Sequence, residues 1–393
     1  MGLMGKGRWF GAMFGALLFA GTIAGCGVSD SDGDSNTIPI GANFAMSGSL
    51  SNYGSSAFDG LRFAVEEVNK AGGIDGKQIK VIGIDDKSNP SDVVNVAKKL
   101  ISDYHVKAIV GPVASNLVLA EEPTTTEAKI PLIAPGATNN NITQNDDGSV
   151  KPYVFRSCFT NEQEGTAMAT FARNTLKAKT ATMCIEDGSE YAADLGRAFK
   201  KHFEAMGGKV IEQESFAENT KDFQPMLTKI KAANADVIFL PAYYEQVGEI
   251  VKQARTMGII VPVLGSDSWD DDSIVDLAGV DALNNTYYCS FFVENDPNVK
   301  DFVNAFSAEY GHSPNVFTAM GYDAGKMLIA AIKRAGSDDP DKIREALEQT
   351  KDVQGSNSVL TLDEHHNPVK ETLILELRSG IRVVREKIAA KDI

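Results

Sequence analysis

The residues of this chain that could do chemistry sit in short polar stretches, not in catalytic motifs. Residues 47–56, 111–116, 135–140, 187–191, 242–246 and 265–270 are rich in Ser, Thr, Tyr, Asn and Asp. They contain no His and no Cys, and acids are their only charged side chains. No GxxxxGK[ST] phosphate loop occurs, and no GxGxxG follows the first strand-like run. The glycines at Gly72, Gly73 and Gly76 follow a helical pattern and read as a turn. The nearest approach to a hydrolase elbow, Gly54-Ser55-Ser56-Ala57-Phe58, lacks its second glycine. The histidines are His105, His202, His312, His365 and His366. None has partners at the spacing of a zinc site, which needs three or four convergent ligands. Glu364-His365-His366 reads as a solvated hairpin connection. Asp270-Asp271-Asp272 lacks EF-hand spacing and reads as a solvated helix N-terminus, acids facing the positive end of the dipole. No metal and no cofactor is expected.

The polar stretches must be positioned by the elements around them. Residues 38–46 form an apolar strand pattern, and residues 58–68 carry apolar Leu61, Ala64, Val65 and Val68 at the spacing of an amphipathic helix. Gly72-Gly73 stops that helix. Strand patterns follow at 80–85, 108–111 and 130–134, with a helix capped by Ser91 or Asp92 running to 101, and another running to about residue 128. After residue 160 the rhythm resumes. Strands at 181–185, 210–216, 237–241 and 259–264 alternate with helices at 192–206, 223–233 and 246–257. Apolar strands alternating with helices imply parallel sheets of right-handed βαβ units. The expected fold class is therefore α/β, as two doubly wound parallel-sheet lobes. Ligands of such sheets bind beyond the carboxyl ends of the strands, where the polar stretches fall.

The chain has 393 residues, 43% apolar and 23% charged, an ordinary globular composition. Its 38 basic and 53 acidic residues give a charge of -15, which disfavours nucleic acid as a partner. Residues 1–25 read as a signal peptide: Lys6 and Arg8 precede a short apolar run. Ile23-Ala24-Gly25-Cys26 resembles a bacterial lipobox, in which Cys26 is lipidated and anchors the protein to a membrane face. Cleavage before Cys26 leaves 36 basic and 53 acidic residues, a charge of -17. Residues 26–37 read as a flexible tether. Three cysteines remain beyond it, Cys158, Cys184 and Cys289. Buried free thiols are the default, and one disulfide among them is an alternative that sequence leaves open.

Seven segments together resemble the type I periplasmic binding proteins of ABC importers, specifically the branched-chain amino acid receptors. They are AMSGSLSNYG (45–54), NKAGGIDGKQIKV (69–81), DDKSNP (85–90), IVGPVAS (109–115), PLIAPGAT (131–138), EDGSEYAADLG (186–196) and YYEQVGEIVKQARTMG (243–258). The resemblance implies two lobes joined by three hinge crossings, residues 38–159 plus 292–354 and residues 160–291 plus 355–393. It also implies a ligand held between them. Ser115 and Thr138, with the backbone at Gly136, match the family's positions for the ligand carboxylate. Asp267 matches the acid that holds the ammonium, where the family often has glutamate. Tyr191 and Tyr243 match aromatic positions that close over the ligand, and Tyr53 matches one on the first lobe. The family's first-lobe disulfide has Ser88 and Ala114 near its places. Read without the resemblance, Ser115 is an N-cap, Thr138 a turn hydroxyl, Asp267 a helix cap and the tyrosines surface aromatics. Tyr244 and Trp269 could face either way.

The expected function is an extracytoplasmic, membrane-anchored lipoprotein that binds a free amino acid, branched-chain or otherwise hydrophobic, and delivers it as a monomer to an ABC permease. No enzyme activity is expected. A receptor for an aromatic carboxylate or other small solute, and a sensor subunit of the same fold, are the alternatives.

Overall fold

The computed structural model describes residues 36–357 and 359–389. The signal peptide 1–25, Cys26 and tether residues 27–35 lie outside the described residues. Thr37, assigned to the tether from sequence, is the first residue of a strand.

The first part of the chain builds a five-stranded sheet from β1 (Thr37–Phe44), β2 (Gln78–Asp85), β3 (Ile109–Val110), β4 (Leu132–Ala134) and β5 (Val154–Arg156). Its crossovers contain α1 (Ser51–Lys70), α2 (Pro90–Ser102) and α3 (Ser115–Glu127). Every pairing is parallel, in the order β2-β1-β3-β4-β5. The apolar stripe of α1 does pack inward: Leu61, Ala64, Val65 and Val68 are all buried. Burying each such large apolar side chain contributes ~1.5–3 kcal/mol. Helix α2 starts at Pro90, and its cap is Asn89, not Ser91 or Asp92. The Asn89 side chain accepts from the Ser91 and Asp92 N–H groups at 2.8 and 3.2 Å.

The next part repeats the pattern with α4 (Asn161–Thr170), β6 (Thr180–Glu186), α5 (Glu190–Ala205), β7 (Lys209–Phe216), α6 (Gln224–Ala233), β8 (Val237–Phe239), α7 (Tyr244–Thr256), β9 (Val263–Leu264), α8 (Ser273–Ala278) and β10 (Thr286–Ser290). These strands also pair in parallel, as β7-β6-β8-β9-β10. Both sheets thus reverse winding direction beside their first strand, at β1/β3 and at β6/β8, the crevice in which such folds bind ligands.

The chain then returns to the first lobe as α9 (Lys300–Tyr310), α10 (Val316–Ala335) and α11 (Pro340–Glu348). Phe306 of α9 packs edge-on against Phe63 of α1, ring centroids 5.5 Å apart. Helix α10 crosses α1 so closely that glycine is required: a Cβ on Gly321 would lie 1.9 Å from the Ala57 carbonyl oxygen, and one on Gly60 2.0 Å from that of Thr318. After a small pair, β11 (Val353–Gln354) and β12 (Val359–Leu360), the hairpin β13 (Thr372–Arg378) and β14 (Ile381–Ile388) rejoins the second sheet. Both of its pairings are antiparallel, so the seven-stranded sheet β14-β13-β10-β9-β8-β6-β7 is mixed. The lobes are therefore connected after β5, after β10 and after β12.

Two sequence expectations need correction here. His366 is 6% exposed, not solvated. Its Nδ1 lies 2.9 Å from the Val154 carbonyl oxygen, its ring stacks on Phe155 at 4.2 Å, and burial lowers its pKa. Of the three acids 270–272, Asp272 is the exposed helix cap, but Asp270 and Asp271 are buried. Asp270 pairs with Arg382 at 2.6 Å and accepts from the Ser290 hydroxyl. Cys158, Cys184 and Cys289 are buried free thiols.

Candidate functional site

Helix α1 follows the carboxyl end of β1 and carries Tyr53, while α3 follows β3 and opens at Ser115. Between β3 and α3, Gly111 has φ +102°, and a Cβ there would lie 2.0 Å from the Asn43 carbonyl oxygen, so only glycine lets the chain turn this tightly. The loop after β4 supplies Gly136 and Thr138. From the second lobe, α5 supplies Tyr191, the residue before α7 is Tyr243, and a 3₁₀ turn after β9, Asp267–Trp269, supplies Asp267.

Tyr53, Ser115, Gly136, Tyr191, Tyr243 and Asp267 line one small cavity, together with Val113, Ala114, Ser268 and Phe317. Thr138 is not in that lining. It is 1% exposed, and its hydroxyl has no hydrogen-bond partner. Ser115 is not the helix cap: Ala114 holds that position and gives no side-chain bond, while the Ser115 hydroxyl accepts from the Asn139 N–H at 3.2 Å. Tyr244 and Trp269 do not line the cavity. Tyr244 packs edge-on against Tyr53 at 5.3 Å, and Trp269 is fully buried against Gly265.

The tyrosines are fixed, not surface aromatics. Tyr53 donates to the Ser268 carbonyl oxygen at 2.5 Å and accepts from the Tyr244 N–H at 3.0 Å, so one first-lobe hydroxyl ties two second-lobe loops. Its ring stacks on Phe317 at 4.2 Å. The Tyr191 hydroxyl bonds Ser266 and Ser268, and its ring stacks on Tyr243 at 5.3 Å. Further contacts between the lobes are Asn52 Nδ2 to Asp271 Oδ1 at 3.2 Å and Asn139 Nδ2 to the Glu190 carbonyl at 3.0 Å.

The electrostatics of the two walls differ. Asp267 is 2% exposed, and burial raises its carboxyl from the ordinary 3.8 to about 7. Its N–H donates at 3.1 Å to Glu164 Oε2, on α4. Glu164 is fully buried, its Oε1 has no partner, and burial followed by the Asp267 charge pushes its pKa well up. Neither carboxylate forms an ion pair among the described residues. On the opposite wall, α3 opens at Ser115 with the positive end of its helix dipole. Arg156, on β5, is buried beneath the loop that carries Thr138. It donates to the Ala137 and Asn139 carbonyls at 3.1 and 2.9 Å, and no ion pair of it is formed among the described residues. The arrangement suits a small ligand with a positive and a negative group. Among the described residues, no group of three or more His, Cys, Asp and Glu side chains could hold a metal ion.

Glu164, Arg156 and Phe317 lie outside the polar stretches read from sequence, while Ser266 and Ser268 fall in the stretch 265–270 without being singled out. Arg156 gave one usable sign, a charged residue inside the apolar run 154–159. Glu164 looked like an ordinary first-turn acid of its helix.

Two lobes with a shared crevice, open at the carboxyl ends of both sheets, define a two-lobed solute-binding protein. The periplasmic binding protein family model matches residues 37–381, and the chain belongs to that family, in its type I branched-chain amino acid receptor branch. It is 27% identical over 335 residues to the leucine-, isoleucine-, valine-, threonine- and alanine-binding protein of Pseudomonas aeruginosa, covering 85% of this chain and 87% of that protein. The branched-chain amino acid transporter substrate-binding protein LivJ of Streptococcus pneumoniae, solved with isoleucine, is 33% identical with a TM-score of 0.82, covering 90% of this chain and 99% of that one. A solute-binding protein of an ABC transporter of R. palustris, solved with benzoate, is 25% identical with a TM-score of 0.80, covering 90% and 96%. No described helix is long and apolar enough to cross a membrane.

Proposed function

We propose that this protein is the extracytoplasmic, lipid-anchored receptor of an ABC importer, that it binds a free amino acid with an aliphatic or aromatic side chain, and that it delivers it to a membrane permease. The carrying observation is the buried carboxylate of Asp267, which lines the cavity without a protein cation and is backed by the buried Glu164. A buried charge needs a partner. The ligand ammonium is that partner. The carboxylate binds the Ser115 hydroxyl, the backbone at Gly136 and the N–H groups opening α3, with the dipole and Arg156 adding positive potential, while Thr138, outside the cavity lining, is not among the proposed contacts. Tyr53, Tyr191, Tyr243, Phe317 and Val113 offer apolar faces to the side chain. No lysine or arginine lines the cavity, so an acidic side chain would lack a counter-charge. The names of the relatives support the same ligand class. Cys26 is the proposed lipid attachment, and the proposed lobes, residues 38–159 plus 292 onward and residues 160–291 plus the C-terminal hairpin, with the last boundary after β12 and not at 354/355, close as a monomer about their three connections.

A thermal-shift panel of the twenty amino acids and benzoate tests the reading. Ligand at ~100 times its Kd stabilises the fold by ~2.7 kcal/mol. Leucine, isoleucine, valine or phenylalanine should shift the transition, and no shift with any compound overturns the proposal. A second reading, an aromatic carboxylate as ligand, is favoured by the stacked Tyr53–Phe317 and Tyr191–Tyr243 rings and by the benzoate-bound neighbour. It requires Asp267 and Glu164 to stay protonated. A shift with benzoate and with no amino acid would establish it.

A further inference from the structure

Outside the stacked Tyr191–Tyr243 pair lies a second, wider compartment of the cleft that shares those two rings with the inner cavity. Four acids line it: Glu186 and Asp187 at the end of β6, Glu218 after β7, and Glu245 on α7. No lysine or arginine lines it among the described residues. We propose that this outer compartment is a second binding site, one that takes the ammonium or guanidinium group of an organic cation.

The acids alone would be a solvated surface, but Glu186 is held almost wholly inside it. It is 5% exposed, lines the compartment, and its carboxylate has no hydrogen-bond or ion-pair partner among the described residues. The nearby Glu218 charge adds to the burial that raises its pKa to about 7. A sheet that ends in a buried, unpartnered carboxylate beside other acids is stabilised by a cation from outside. An inorganic ion fits poorly, because the carboxylates are spread around a wide compartment and no three of the described acids converge on one point. An alkylammonium or guanidinium spans such a space and gains contact with the Tyr191 and Tyr243 rings as well.

The inference does not depend on which ligand fills the inner cavity, and its test keeps the two apart. Cadaverine, agmatine and calcium chloride are titrated calorimetrically into the full mature chain and into Glu186→Gln, Glu218→Gln and Asp267→Asn, with leucine titrated in parallel. Cadaverine or agmatine should saturate the wild type. Glu186→Gln should weaken that binding at least about tenfold, the exposed Glu218→Gln should weaken it less, and Asp267→Asn should leave it within about threefold. The Glu218 variant keeps the test decisive if the Glu186 variant does not fold. No saturable binding of either amine overturns the proposal. So does calcium binding with no amine binding, or amine binding untouched by both vestibule variants, or amine binding that Asp267→Asn abolishes. Absence of leucine binding alone would count against the proposed function and not against this site.

Discussion

Ligand affinity should fall as the pH drops below about 7, and the burial of Asp267 sets the size of the fall. Its carboxyl is raised from 3.8 to about 7 in the folded protein. A carboxyl raised in this way favours the protonated form. Its contribution to stability is fully present below about pH 4 and is lost as the pH rises through about 7. An ammonium reverses that preference, because it binds the ionised form. Well below the raised value Asp267 is mostly protonated, so binding through the carboxylate must first ionise it and weakens as the pH falls. Affinity for leucine should therefore drop about tenfold per pH unit between about 7 and 5, and more steeply where Glu164 must ionise as well. Leucine's own ammonium and carboxylate keep their charges across that range, so the change reports the protein. Isothermal titration at a series of pH values, in two buffers of different ionisation enthalpy, yields both the affinity and the number of protons released. One to two protons should leave at about pH 6. A flat profile with no proton release would refute the charge-pair argument. Affinity that rises with acidity would mean the carboxyls bind as acids, as an aromatic carboxylate ligand requires.

Asp267→Asn should lower amino acid affinity by ~2–5 kcal/mol, the usual cost of truncating one partner of a desolvated pair, and a loss under about tenfold by calorimetry would reduce Asp267 to a turn residue. Tyr53→Phe removes the hydroxyl shared by Ser268 and Tyr244 across the lobes; it should weaken binding by ~1–3 kcal/mol while leaving the denaturation midpoint of each lobe's core little changed. Small-angle scattering should show a smaller radius of gyration with saturating ligand than without, and an unchanged radius would count against hinge closure. Gly321→Ala, which forces a Cβ to 1.9 Å from the Ala57 carbonyl oxygen, should lower stability by ~1–3 kcal/mol in urea unfolding, and wild-type stability would mean the α1–α10 crossing can open without cost.

The course of the chain was legible where the information is local. The stripe of Leu61, Ala64, Val65 and Val68 is a 3.6-residue period, and it buries as that period demands. Six of the seven ligand-binding positions inferred from the resemblance, Tyr53, Ser115, Gly136, Tyr191, Tyr243 and Asp267, share one cavity because they follow the carboxyl ends of strands in two sheets of the same order. What sequence could not show is non-local. Glu164 meets Asp267 across 103 residues of chain, and nothing in its own helix separates it from a solvated acid. His366 has turn neighbours in sequence but packs on Phe155 in space. The hairpin of β13 and β14 joins β10 antiparallel, a pairing set by the last return of the chain and not by the alternating βα series that precedes it.

The division of charge between the lobes gives a physical reason for closure to depend on ligand. The first lobe's wall is positive without a lysine or arginine at its surface, through the α3 N-terminus and the buried Arg156. The second lobe's wall is negative through Asp267, with Glu164 behind it; burial raises both carboxyls, and the Asp267 charge raises Glu164 further. Bringing these walls together around nothing leaves the acids to protonate or to repel, and leaves the positive end of α3 without an anion. A zwitterion removes both penalties at once, and a ligand lacking either charge removes only one. Because a ligand shifts an equilibrium only by its differential affinity for the two states, the opening of each charged wall to water makes zwitterion binding and closure one event. In the proposed closure the tyrosine contacts would set how far that event goes: Tyr53 bonds Ser268 and Tyr244 across the lobes, so its hydroxyl would stabilise an arrangement in which the lobes meet and add nothing where they are apart.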